Sequence, residues 1–261
     1  MHQRPMTRTS THAAGTLEWG IETGGQLTNP ERVRLLGPIL RTTVQYAAGR
    51  LRLLLGLRPA RQGTLDLDRL AWPDSALVRR ATEQCRETLT ASMVNHSYRT
   101  FVFGLALARL DEVRVDHEAL LVGALMHDIA LETPTPRRCF AVVGAERTLA
   151  LGRAVEGAEA TSRIAAEAVC LHTTPGLDAA QHPAGYLISA GATVDLLGLR
   201  LWDMEPAFVA RVFEAYPRLG AKRHAAACWR REARAVPGGR AALLEHAALF
   251  SVFVRLAPFA E

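Results

Sequence analysis

Residues 120–129 read Leu-Leu-Val-Gly-Ala-Leu-Met-His-Asp-Ile. A run of apolar and small residues, entered through Asp116 as an N-cap, predicts a helix buried on every side. His127 and Asp128 close it. An ionised carboxylate beside an imidazole in such a core is costly unless it is paired or meets a cation. The stretch therefore predicts a helical core with a polar centre inside it.

Working outward, apolar positions recur at three and four on both sides. Asp74 caps a long segment that ends near Leu110, and Asp116 caps the next, which runs to about Leu131. Thr133-Pro134-Thr135-Pro136 breaks the pattern. Helical periodicity resumes over 156–171, 184–199, 207–215, 221–234 and 241–256, punctuated by Pro175-Gly176, Pro183, Pro217 and Pro237-Gly238-Gly239. Upstream, Asn29-Pro30-Glu31 reads as a helix start with Asn29 at the cap. That helix continues to about Leu57, with Pro38 kinking or splitting it, and 63–73 reads as a loop. Sustained alternation is absent, so the fold class is all-α. Residues 1–15 form a polar tail, 16–73 an N-terminal helical extension, and 74–261 the main helical domain with its C-terminal helices packed on it.

Composition sets the outer limits. A chain of 261 residues, 49% hydrophobic and 22% charged, can bury one sizeable core, which excludes a collagen, a rod or wholesale disorder. Lys and Arg number 31 against 26 Asp and Glu, a net charge of +5, and all but Lys222 are arginine. These arginines are scattered. The densest groups are Arg230, Arg231 and Arg234, and Arg50, Arg52, Arg58 and Arg61; none is a long like-charge run or is interleaved with aromatics, which argues for solvated helix faces and against a nucleic-acid surface. Cys85, Cys139, Cys170 and Cys228 show no CxxC spacing and read as buried, reduced thiols. The N-terminus has no apolar leader core, and the apolar run 184–194 is too short to span a bilayer and ends in Asp195. A cytoplasmic protein without membrane partners is expected, and self-association stays open.

Two further positions join the polar centre. His96, in Asn95-His96-Ser97-Tyr98-Arg99, shares an inward helix face with Thr100, Phe103 and Leu107. Asp195 interrupts an apolar helix, with Gly191 and Gly198 as helical neighbours small enough for close approach to an ion. Two imidazoles and two carboxylates suit a borderline divalent ion such as zinc, iron or manganese, with positions left for water or substrate. Taken singly, each has a plainer reading: a satisfied core histidine, a cap, an ion-pair partner. His172 follows the buried face of Ala165, Ala168 and Val169; it reads as a proton-relaying histidine or as one bonded to a backbone carbonyl. Arg99 and Glu132 are candidates to orient a substrate group and to act as a base, or else to form structural ion pairs. Glu156 is either a partner of a ligand histidine or an exposed first-turn glutamate. Asp116-His117 is explained as a cap. Phe101, Phe103, Tyr186 and Trp202 are candidates to size a pocket.

The order His, His-Asp, Asp on an all-helical chain resembles the HD-domain superfamily of metal-dependent enzymes over roughly residues 85–220. The blocks NHSYRTFVFG (95–104), ALMHDIAL (124–131), VEGAEA (155–160), CLHTTPG (170–176) and AGATVDLLGL (190–199) resemble, in order, the branch around cyanamide hydratase. The resemblance implies an HD helical bundle with His96, His127, Asp128 and Asp195 as metal ligands. Only His172 and His182 lie between the HD pair and Asp195, which fits a mononuclear site better than a di-iron one. HD phosphohydrolases often follow the pair with Gly and a cation, whereas this chain has Ile129-Ala130-Leu131-Glu132.

The expected function is a metal-dependent hydratase or hydrolase with one divalent ion, Zn2+ first and Fe2+ or Mn2+ as alternatives, acting on a small nitrile-like or amide-like substrate. Catalytic roles fall to His172, Asp128, Arg99 and Glu132. The alternatives are a phosphohydrolase acting on a nucleotide or phosphate monoester, a non-catalytic HD binding module and, at lower weight, an oxygenase.

Overall fold

In the computed structural model, which describes residues 10–260, Asp116 caps helix α5 (His117–Met126) by accepting from Glu118 N at 2.8 Å and Ala119 N at 3.1 Å. Being apolar all round, α5 has no side to give to water. It packs against α3 (Ala76–Thr88), α4 (Ala91–Leu110), α7 (Glu159–Leu171) and α8 (Pro183–Leu197), and every residue from Ala119 to Met126 is buried. The remaining helices are α1 (Leu17–Thr23), α2 (Asn29–Leu54), α6 (Phe140–Arg153), α9 (Pro206–Ala215), α10 (Ala221–Ala235), α11 (Arg240–Ala248) and α12 (Phe250–Arg255). The protein is all-α, with no β-strand among the described residues. None of their helices is long and apolar enough to cross a membrane.

Several boundaries differ from the sequence reading, each for a local reason. The segment expected to run unbroken to Leu110 divides at Leu89, whose backbone is extended, so α3 and α4 pack separately on α5. Ser75 rather than Asp74 caps α3, and Thr28 rather than Asn29 precedes α2, its N–H donating to the Glu31 carboxylate at 2.6 Å. Helix α5 stops at Met126, five residues short of the expected end, which leaves His127 and Asp128 in the turn beyond it. Helix α6 lies in a region given no helix from sequence. Its glycines are close-packing positions: a Cβ on Gly144 would lie 3.0 Å from Met126 O and one on Gly152 only 1.8 Å from Ser162 Oγ. Leu249, at φ +51, divides the last expected helix into α11 and α12.

The α4–α8 pair carries the site. A Cβ on Gly191 would meet Thr100 O at 2.2 Å, so this glycine admits the backbone of α4 rather than an ion. Gly198 ends α8 in the left-handed conformation, φ +72.

The tail expected over 1–15 falls mostly outside the described residues. The helix that follows it docks on the body: Leu17 N donates to Glu167 Oε2 at 2.7 Å, and Trp19 is fully buried. Helix α2 continues through Pro38 to Leu54 and lies across α11 and the turn at Leu201–Asp203, with Gly49 against the Trp202 ring. Its outer side leaves Val33, Leu40, Val44 and Leu51 exposed.

Candidate metal centre

His96 from the middle of α4 and the turn after α5 meet at the centre of the bundle. His127 is the residue at which α5 ends, and its Nδ1 donates to Ala124 O at 2.7 Å, satisfying a carbonyl of the last turn. His172 repeats this at the end of α7, with Nδ1 donating to Val169 O at 2.6 Å. His96 Nδ1 faces Asp195 Oδ2 at 2.6 Å. In all three rings the Nδ1 proton is committed to an acceptor, which leaves Nε2 as a lone pair.

Those lone pairs converge. His127 Nε2 lies 3.2 Å from His96 Nε2, and Asp128 Oδ2 lies 3.4 Å from His127 Nε2 and 3.6 Å from His96 Nε2. Two imidazole lone pairs facing each other at that distance repel unless something positive, a proton or a metal ion, sits between them. Donors bound to one tetrahedral zinc at ordinary bond lengths lie about 3.3 Å apart. The three buried side chains therefore fit a divalent ion, and His96, His127 and Asp128 could hold one. His172 Nε2 approaches from the other side of the carboxylate, 3.7 Å from Asp128 Oδ1.

The electrostatics follow from burial. Burial would raise the Asp128 carboxyl, but the neighbouring His127, with His96 and His172 behind it, holds it well below the usual carboxylate range. Burial drives His96 down. His172 is pushed down to about 3 by burial and then by His127. Burial opposes the charged form of His127, but Asp128, the Ala124 carbonyl and Asp195 together outweigh it and move the group up.

Asp195 is placed differently from the expected ligand. It lies beyond the Nδ1 edge of His96, the edge opposite the donor cluster, and its carboxylate is held by other groups. Arg99 Nε reaches Oδ1 at 2.8 Å and Arg99 Nη2 reaches Oδ2 at 2.9 Å, while Arg218 Nη1 bonds Oδ1 at 2.5 Å and the Asp195 carbonyl at 2.9 Å. Burial would raise this carboxyl, but Arg99, His96 and Arg218 together bring it far down. Asp195 thus orients His96 and fixes its tautomer. Arg99 is fully buried, its remaining Nη1 donating to Tyr216 O and Pro217 O at 2.9 and 3.1 Å. It braces Asp195, with four of its five N–H groups engaged, and it is not on the cavity wall.

Glu132 also stands apart from the cluster. It accepts from Thr90 N at 2.8 Å and Thr90 Oγ1 at 2.7 Å at the start of α4, and pairs with His224, which neighbours Cys228. Glu156 is exposed in the turn before α7. All four cysteines are buried and unpaired with one another, and burial pushes Cys85 to about 11 and Cys170 to about 12, so these two remain protonated thiols.

A cavity of about 790 Å³ opens onto the donors, and His96, His127, Asp128 and His172 are on its wall whereas Asp195, Arg99 and Glu132 are not. Tyr186 and Trp202 line it as the sequence suggested; Phe101 and Phe103 instead pack in the core, against Trp72 and against Phe208 and Phe213. Two contributors escaped the sequence reading. Arg218 sits in a loop without periodicity, and α2, whose inner side supplies Ile39, Thr42 and Tyr46, reads as a mere extension. Comparison with models of known protein families and with the sequences of characterised proteins finds no match to this chain.

Proposed function

We propose that the chain is a metal-dependent hydratase or hydrolase that adds water to an uncharged C–N group, with His96, His127 and Asp128 holding one divalent ion. The observation that carries this reading is the convergence of two Nε2 lone pairs and one carboxylate oxygen, spaced 3.2 to 3.6 Å apart, on the wall of a cavity. Three protein donors with an open side is the arrangement of a catalytic rather than a structural site. Zinc suits the mixed N/O set best, and iron(II) or manganese(II) accept the same donors. When bound, such an ion lowers the pKa of water toward neutrality and polarises a nitrile or carbonyl group.

The chain's own groups handle orientation and protons. Asp195, neutralised by Arg99 and Arg218, holds the His96 proton on Nδ1, and burial keeps the ring neutral, so that its Nε2 lone pair is aimed at the cluster. His172 faces the cavity as a neutral imidazole with its lone pair on Nε2. As the oxygen of water bonds to the substrate carbon, Nε2 of His172 takes the proton and returns it to the substrate nitrogen. A base this weak passes the proton on rather than storing it. Asp128 Oδ1, facing His172 Nε2, stabilises the imidazolium while it exists.

A phosphate ester fits this wall less well. Of the arginines on the cavity wall, Arg41 and Arg52 are exposed on α2 and Arg200, nearer the inside, is already shared between Asp111 and Asp203, while Arg99 and Arg218 are turned away toward Asp195. The test is turnover of nitriles, amides and phosphate monoesters by the metal-loaded protein beside His127→Ala. The reading expects hydration or hydrolysis of a C–N compound that the variant loses; turnover of phosphate esters alone, or activity that survives in the variant, overturns it.

A further inference from the structure

The cavity is far larger than the smallest C–N substrates need. Water occupies about 30 Å³ of its own liquid, and a two-carbon nitrile displaces only a few waters, whereas this space measures about 790 Å³. Cavities of that size hold ligands of drug-like dimensions. Beyond the donors the walls are apolar: Ile39 and Tyr46 from α2, Leu197 from α8, Trp202, Trp229 and Phe253.

Several of the polar groups on the same walls are already engaged. Arg200 donates to Asp111 through both terminal nitrogens, at 2.6 and 2.9 Å, and through Nε to Asp203 at 2.8 Å. Tyr186 donates to Asp111 at 2.7 Å. The hydroxyls of Thr43 and Thr193 bond carbonyls of their own helices. Thr173 and Trp229 are exceptions. Thr173 lies on the wall next to His172 with its hydroxyl buried and without a hydrogen-bond partner, and Trp229 Nε1 is likewise buried and unpartnered. An unmet buried hydroxyl costs free energy in the empty state and regains it when a ligand supplies the partner.

Resting on the proposed C–N chemistry, we infer that the substrate is a long-chain alkyl or aralkyl amide or nitrile, its uncharged head beside Thr173 and the donor cluster and its apolar body along the wall formed by α2, Trp202 and Trp229. The N-terminal extension is then part of the binding site. Each methylene that leaves water for this wall tightens binding by about three- to fourfold.

The experiment uses the metal-loaded protein with acetamide, butanamide, hexanamide and decanamide and the matching nitriles. Turnover is followed in parallel with binding, read from the fluorescence of Trp202 and Trp229. The inference expects kcat/KM to rise by about three- to fourfold per methylene until the space is filled. It expects Ala190→Phe, which fills the wall from α8, to move the optimum to shorter chains, and Thr173→Val to raise KM for the amides about tenfold without changing metal content. Decanamide that binds with the same length dependence but is not turned over sustains the apolar site and overturns the hydration chemistry. Turnover that is flat with chain length, or greatest for acetamide, overturns the apolar site and leaves the chemistry standing. Absence of both binding and turnover overturns both.

Discussion

Nδ1 of His96 and Oδ2 of Asp195 lie 2.6 Å apart between α4 and α8, and this contact separates the donors of the centre from the scaffold that aims them. On one side of the His96 ring stand His127 and Asp128. On the other, Asp195 is balanced by two buried arginines. Asp195→Asn leaves Arg99 and Arg218 without their counter-charge, so a loss of about 3–5 kcal/mol of stability is expected, a fall in Tm of roughly 10 °C. Calorimetry checks the first part. Metal affinity should fall by about 10- to 100-fold, as for other partners that orient a ligand histidine, and a titration against a chelator reads it.

Arg99→Met should behave as a stability variant. Four of its five N–H groups are engaged with Asp195, Tyr216 O and Pro217 O, so unfolding by denaturant should show a loss of about 3 kcal/mol or more. KM at a permissive temperature should barely move. A large KM increase with unchanged stability would place Arg99 on the substrate and contradict the geometry.

His172→Phe separates proton transfer from metal holding. His172 packs edge-on against the His127 ring but turns its Nε2 to Asp128 Oδ1, while His96 and His127 meet Oδ2, so the variant should keep its metal while kcat falls by about 10²- to 10⁴-fold. Loss of the metal along with the activity would make His172 a ligand.

Glu232 gives a pH signature unrelated to catalysis. Its carboxyl is buried under α6, accepts from Phe140 N at 2.9 Å, and is pushed up to about 7 by burial. A carboxyl raised above its unfolded value contributes stability that is full below about pH 4.5 and is lost as pH rises through about 7, by at most about 3 kcal/mol. Glu232→Gln keeps an acceptor for Phe140 N and removes the ionisation. Denaturation midpoints of wild type should fall from pH 4.5 to 7.5 relative to those of the variant, and parallel curves would refute the assignment.

The polar centre was legible in sequence because charge in an apolar helix stands out: His96, His127 and Asp128 are brought together as their inward positions require. Asp195 was found by the same signal and expected among the ligands, but it meets Nδ1 of His96, since periodicity tells which face is buried and not which nitrogen of a neighbouring ring it meets. The all-helical class followed from spacing alone. Helix α6 was missed because Gly144 and Gly152 look like breakers until the opposing Met126 carbonyl and Ser162 are in view. Arg218 and the inner side of α2 depend on contacts between segments remote in sequence, which no local pattern records.

Elemental analysis of the protein as isolated decides whether His96, His127 and Asp128 bind one divalent ion. One equivalent of a transition ion per chain is expected, zinc foremost, abolished by His127→Ala in a protein that still shows native helical circular dichroism. A metal-free wild type that also fails to take up added zinc, iron(II) or manganese(II), or a His127→Ala protein that retains the full equivalent, would contradict it.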